Sequence, residues 1–189
     1  MKNEIYKYLF EIGQLKRVHR SGWWIVGIQD PETVAEHSFR AAVIGFLLAV
    51  SEGADPYRTM AISLFHDVHE ARVNDVHKIG QRYLDMDAIE TRVAAEQREH
   101  LPEKSAVLLK DIFHAYQHHD SPESRLAHDA DLLECLVQAR EYQSQGFMDV
   151  QDWIDSALAG LKSESAKQIA RDCLAHNPAD WWQELKKKI

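Results

Sequence analysis

Apolar residues return at every third or fourth position along most of this chain, and no stretch alternates apolar with polar long enough to read as a strand. Side chains three and four apart stand on one face of a helix, so the pattern predicts an all-α fold of packed amphipathic helices. Ile5, Tyr8, Leu9, Ile12 and Leu15 share such a face in the first segment. Residues 22–31 are the least helical, with Gly22, Gly27 and Pro31 around the adjacent Trp23 and Trp24, of which Trp24 is the expected core residue. A helix then starts at Glu32 or Thr33 and runs through Val34, Phe39, Val43 and Leu47 towards Ser51. Pro56 suits the first turn of the next, which carries Met60, Ile62, Leu64 and Phe65. Further helices are expected over residues 86–100, 103–118, 122–145, 149–160 and 163–176, with a short one after Asn177-Pro178.

Neither a solenoid-period repeat nor a Gly/Ser-rich linker divides the 189 residues, which are expected to form one domain around a sizeable core. With 22 Lys plus Arg against 30 Asp plus Glu, the chain lacks the basic excess of a protein that binds nucleic acid polymers. The longest wholly apolar run, residues 41–50, is too short to span a bilayer, so no membrane partner is expected. Glu4 and Glu11 interrupt the amino-terminal stretch, which argues against a signal peptide. Cys135 and Cys173 are too few for a disulfide framework and read as small buried residues of a reducing compartment, which makes a cytoplasmic location the expectation.

The chemistry concentrates at three places. His66 and Asp67 stand side by side at the end of an apolar helix face, and imidazole nitrogen with carboxylate oxygen suits a divalent cation. Two ligands hold a metal poorly, so others must come from elsewhere. His37 occupies the first turns of its helix, and Asp129 and Asp131 lie on the helix after Pro122. Helical spacing turns Asp131 inward with Ala127, Ala130 and Cys135, and an inward carboxylate needs a partner that a metal would supply. Each residue alone reads as an ordinary core or surface side chain, since adjacent residues such as His66 and Asp67 diverge around a helix. The assembled set carries the argument.

The order Val34-Ala35-Glu36-His37-Ser38, then His66-Asp67-Val68-His69-Glu70-Ala71, then His128-Asp129-Ala130-Asp131 resembles the HD-domain metal-dependent phosphohydrolases. Within them it is most similar to the small 5′-deoxynucleotidase branch, over about Leu15 through Glu141. The resemblance implies a compact HD-domain helical bundle with one divalent metal held by His37, His66, Asp67 and Asp131. It also implies release of phosphate from nucleoside monophosphates by a homodimer. Mixed His and Asp ligation accepts manganese, cobalt, iron, zinc, magnesium or nickel. Glu70 matches the glutamate of the family's His-Asp-x-x-Glu pattern and Asp75 a second acidic position, a pair assigned to positioning water, moving protons and contacting the sugar.

An acidic protein that binds an anion needs local positive charge as well, offered by Lys16, Arg17 and Arg20 before Trp23 and by Lys78 and Arg82 after the His-Asp block. In the deoxynucleotidase branch an Arg-Trp pair before the first metal histidine helps hold the nucleotide. Trp23 has the corresponding distance from His37, but Gly22 stands where the Arg would be, and Arg20 is the nearest candidate to replace it. Trp23 either stacks on a base or packs a loop. His69 and His77 flank the site, while His118-His119-Asp120 reads as a helix end. His128 either orients phosphate or lies outside the cavity, and Asp129 reads as an ordinary polar neighbour of Asp131. Trp181-Trp182 is expected to close the core or a dimer contact, and Lys186-Lys187-Lys188 to be a solvated helix end. The rival readings are an HD phosphohydrolase acting on cyclic nucleotides or polyphosphates, and a nucleotide-binding regulatory module without turnover.

Overall fold

The computed structural model describes residues 4–186. Its α-helices are α1 (Ile5–Ile12), α2 (Val34–Glu52), α3 (Pro56–Phe65), α4 (Glu70–Val73), α5 (Lys78–Gln81), α6 (Met86–Arg98), α7 (Glu103–His118), α8 (Pro122–Ser144), α9 (Gln151–Gly160), α10 (Glu164–Ala175) and α11 (Asp180–Lys186). Short 3-10 turns, Gly13–Lys16 and Ser21–Val26, join α1 to α2, and a third, Met148–Val150, leads into α9. Extended pairing among the described residues is confined to a single bridge between His19 and Thr33. The all-α expectation holds.

Local chemistry sets the helix starts. Thr33 accepts the Glu36 amide while the Glu36 carboxylate accepts the Thr33 amide, a reciprocal cap that fixes the first turn of α2. Asp55 accepts from the amides of Tyr57 and Arg58 with Pro56 at the first helical position. Ser121 caps α8 through Ser124, again with Pro at the start. At the far end of α2, Gly53 adopts a left-handed conformation at φ 73°, and the chain turns back into α3.

The longest helix, α8, packs against α2, α3, α7, α9 and α10. Leu48, Leu133, Leu136, Val150 and Ile154 fill the main core around it. The buried face of α2 is not the one that Phe39, Val43 and Leu47 suggest, for those three are exposed. Ala41, Ala42, Gly45 and Ala49 face inward instead, because small side chains let α3 and α8 approach closely. A Cβ at Gly45 would stand 2.6 Å from the Ser63 hydroxyl of α3. Gly45→Val is therefore expected to lower stability in urea by about 2 kcal/mol through overpacking. Gly13→Ala, where no atom lies within 4 Å, serves as the neutral control.

Other expectations need correction. Residues 22–31 include the 3-10 turn Ser21–Val26, whose winding puts Trp23 in the core at 2% exposure and leaves Trp24 52% exposed, the reverse of the sequence reading. Trp23 turns inward because its indole N–H donates to Glu32 (3.0 Å), whereas Trp24 lies against His19 at the surface. Ile5 and Leu9 are exposed on α1, as are Trp181 and Trp182 on α11. The two cysteines are free and half-buried. Asp129 is a buried clamp, not an ordinary polar neighbour, accepting the amides of Lys162 (2.8 Å) and Ser163 (2.7 Å) at the start of α10. Lys187 and Lys188 fall outside the described residues.

Candidate active site

The first turn of α2, the end of α3 and the middle of α8 meet at one point. His37 Nε2 lies 3.1 Å from Asp131 Oδ1 and 3.4 Å from His66 Nε2. His66 Nε2 lies 3.0 Å from Asp67 Oδ2, His37 Nε2 lies 3.9 Å from the same oxygen, and His66 Nε2 lies 3.8 Å from Asp131 Oδ1. The helix packing thus brings together all four residues singled out from the sequence.

The protonation of this group follows from its partners. His66 Nδ1 lies 2.7 Å from the Ser63 carbonyl, which only accepts, so Nδ1 carries the hydrogen and Nε2 presents a lone pair. His37 Nδ1 donates in the same way to the Glu134 carboxylate, which is itself held by Arg40 Nε at 2.8 Å. Arg40 also reaches Glu141 and Gln138. Tyr116 donates to Asp131 Oδ2 (2.8 Å), the oxygen turned away from His37, and Arg20 donates to Asp67 Oδ2 (3.1 Å), the oxygen that also faces His66. Two imidazole lone pairs and two carboxylates therefore converge. Such a set fits a divalent cation, with the outer hydrogen bonds fixing each ring. Burial alone would lower the His37 pKa, yet Glu134 and Asp131 raise it well above its ordinary value. The site demands positive charge even when a proton must supply it.

Beside these four, Glu70 is buried in α4 and its Oε2 has no hydrogen-bond partner among the described residues. Burial and the adjacent Asp67 push its carboxyl well above the usual carboxylate range. Asp75 accepts the Ser21 amide at 2.5 Å through one oxygen, tying the turn after α4 to residues before Trp23. His66, Asp67, Asp131, Glu70 and Asp75 line a cleft of about 920 Å³ with Arg20, His77 and Lys78, and His37 lies buried behind them. Lys16, Arg17, Arg82, His119 and His128 do not line it, and His128 packs instead against His119.

Trp23 contributes to the cleft wall, but Trp153 stacks on it and Tyr142 meets it edge-on, so it is chiefly a packing residue. Its partner Glu32 is pushed up to about 8 by burial and by the nearby Glu134, from an ordinary 4.5. Between those values the folded chain keeps a proton that the unfolded chain has lost. The Glu32 contribution to stability is thus full below the lower value and lost as pH rises through the upper one. Glu32→Gln, which keeps an acceptor for Trp23, is expected to flatten this slope, up to about 1.4 kcal/mol per pH unit, in urea titrations between about pH 5 and 8.

Sequence reasoning missed Glu134, Tyr116, Glu90 and Trp153. Glu134 carried a signal, since it lies three residues beyond Asp131 on the same face of α8. Tyr116 and Trp153 read as core aromatics, and only the packing of α7 and α9 brings them to the cleft. Glu90 of α6 lies 3.6 Å from His69 and had no local motif to mark it.

Converging imidazoles and carboxylates, an acid with an unpartnered oxygen beside them and a cleft for substrate define a metal-dependent hydrolytic centre in a helical bundle. The chain belongs to the HD domain family, whose model matches residues 12–172. Family and donor set together imply a divalent metal. Among relatives, a bovine (Bos taurus) protein named 5′-deoxynucleotidase HDDC2 is 28% identical over 177 residues, covering 92% of this chain and 86% of its own. The crystal structure of genomics APC5600 superposes with a TM-score of 0.77 at 35% identity, covering 95% of this chain and 99% of that one. A protein from Magnetospirillum magnetotacticum MS-1, named a predicted metal-dependent phosphohydrolase, shares the fold at a TM-score of 0.73 and 23% identity, over 91% of this chain and 90% of that one.

Proposed function

We propose that this protein is a divalent-metal-dependent phosphohydrolase that releases phosphate from nucleoside 5′-monophosphates, deoxyribonucleotides above all. The observation that carries the reading is the convergence of two imidazoles and two carboxylates beside Glu70, whose Oε2 has no hydrogen-bond partner among the described residues. His37, His66, Asp67 and Asp131 hold one metal, drawn from manganese, cobalt, iron, zinc, magnesium and nickel. Bound there, the metal neutralises phosphoryl oxygens and makes water a better nucleophile. Glu70 takes the proton of the water that attacks phosphorus in line. Asp75, with one oxygen committed to Ser21, positions that water or a sugar hydroxyl through the other. Arg20 adds positive charge where the dianion enters. The bond from phosphorus to the 5′ oxygen breaks, that oxygen receives the proton Glu70 took from the water, and the products are a nucleoside and inorganic phosphate.

The test is phosphate release from ribo- and deoxyribonucleoside monophosphates after chelation and re-addition of single metals. Metal-restored release, faster for the deoxy forms, is the expected result. Release of tripolyphosphate from triphosphates, opening of cyclic nucleotides, or binding without any turnover would each overturn it in favour of the corresponding rival.

The same proposal includes one functional unit spanning the chain, a cytoplasmic setting and a homodimer. By length and mean hydropathy α2 could cross a membrane. We read it as a core helix, because it buries His37 and ties Arg40 to three side chains of α8. Phe39, Val43, Leu47 and Val50 form an exposed apolar stripe along its outer side, suited to a second copy of the chain. Leu47→Glu is expected to convert a dimer to a monomer in analytical ultracentrifugation, without altering the helical circular dichroism.

A further inference from the structure

The cleft is lined by two groups of residues: Asp67, Glu70 and Arg20 beside the donor set, and Met148, Asp152 and Trp153 from the 3-10 turn before α9 and from α9 itself. Leu132 and Cys135 of α8 line the cleft as well. Cys135 stands four residues, or about 6 Å of helix, beyond Asp131. Arg20 joins the donor set to this stretch of α8, donating to Asp67 (3.1 Å) and to Cys135 Sγ (3.3 Å), so a molecule with its phosphate beside Arg20 shares one cleft with Trp153.

Two indoles stand there with different freedom. Trp23 is buried, its N–H is spent on Glu32, and its ring is enclosed by Tyr142 (centroids 5.2 Å) and Trp153 (5.4 Å). Trp153 is half-buried, is stacked on Trp23 with 28° between the planes, and has no hydrogen-bond partner for its N–H among the described residues. Trp23 thus acts as a backing plate that fixes the orientation of Trp153, and of the two indoles on the cleft wall Trp153 is the more exposed. The missing side chain at Gly22 is part of this arrangement. A Cβ there would already touch the Trp153 indole nitrogen at 3.6 Å, so anything longer would push the ring away.

We propose that Trp153, oriented by Trp23 and admitted by Gly22, is the specificity residue that stacks on the base of the nucleotide. This inference rests on the phosphohydrolase reading above. Stacking requires a π-face and is blind to the phosphate, so its loss changes binding of substrates that carry a base and leaves a base-free sugar phosphate untouched.

The experiment compares the wild type with Trp153→Phe and Trp153→Leu, the latter retaining apolar packing on Trp23 without an aromatic face. Substrates are a deoxyribonucleoside monophosphate and 2-deoxyribose 5-phosphate. The expected result for Trp153→Leu is a KM about ten-fold higher for the nucleotide, kcat within about two-fold, and unchanged kinetics on the sugar phosphate. Trp153→Phe should recover much of the loss. Quenching of tryptophan fluorescence by a deoxyribonucleoside gives a second readout that needs no turnover, and it should vanish in Trp153→Leu. Unchanged nucleotide KM, an equal loss on both substrates, or quenching that survives in Trp153→Leu would overturn the assignment. A wild type that hydrolyses no nucleotide but shows Trp153-dependent quenching would sink the proposed reaction and leave the base site standing.

Discussion

His66→Ala and Asp67→Ala proteins are expected to lose metal and phosphate release together, with activity down by roughly a thousandfold, the equivalent of several kcal/mol of transition-state charge stabilisation. Each removes one of four side chains whose carboxylate oxygens lie 3.0–3.9 Å from the two imidazole Nε2 atoms, and three donors of mixed type hold a divalent ion far less tightly. Glu70→Gln is the necessary contrast. Its carboxyl lies beside the set, so the variant should retain metal by elemental analysis while losing turnover about 10²- to 10⁴-fold, as removal of a proton-transfer group does. Full turnover in a metal-free His66→Ala protein would sink the assignment, as would metal loss without activity loss.

Glu134 should give the second large effect, and on two properties at once. Its carboxylate is fully buried between His37 Nδ1 and Arg40 Nε. Burial opposes its ionisation, but His37 and Arg40 outweigh that and hold its pKa below the usual range. Glu134→Ala leaves the buried His37 Nδ1–H without its acceptor, while Arg40 keeps Glu141 and Gln138, and is expected to destabilise the fold by about 1–3 kcal/mol. It also frees the His37 ring to rotate or change tautomer, for which a 10- to 100-fold weaker metal affinity is the usual consequence. Glu134→Gln keeps an acceptor for one partner only. The expectation is a fold close to wild type in thermal melts with weakened metal binding in competition against a chelator. Wild-type metal affinity in both variants would show that the ring needs no such support.

The helices were legible because their causes are local. Thr33-x-x-Glu36, Asp55-Pro56 and Ser121-Pro122 start α2, α3 and α8 by short-range hydrogen bonding, and the sequence reading places these starts to within a residue or two. Which side of α2 is buried was not legible, since large apolar residues sit on its outer face and small ones on its inner face. Close approach at Gly45 decided that, and it depends on the Ser63 side chain of another helix. The four converging residues could be found because three separated blocks resemble a known pattern. Of their supports only Glu134 left a trace, its spacing from Asp131 on α8; Tyr116 and Arg40 act through contacts between helices far apart in the chain. The exchange of Trp23 and Trp24 has the same origin: a hydrogen bond to Glu32, nine residues away, settles which indole turns in.

Over thirteen residues α8 has obligations on several sides. Asp129 grips the backbone at the start of α10, Asp131 meets the two histidines, and Glu134 meets His37 and Arg40. Gln138 and Glu141 finish the grip on Arg40. A straight helix advances about 100° per residue, so adding or removing one residue anywhere in that stretch would swing every later group off its target. Replacing one of these side chains costs the contacts of that residue alone, whereas changing the segment's length costs those of several at once. Natural variation in chain length should therefore collect in the turns on either side of α8, leaving the spacing from Asp129 to Glu141 fixed across relatives that share this centre.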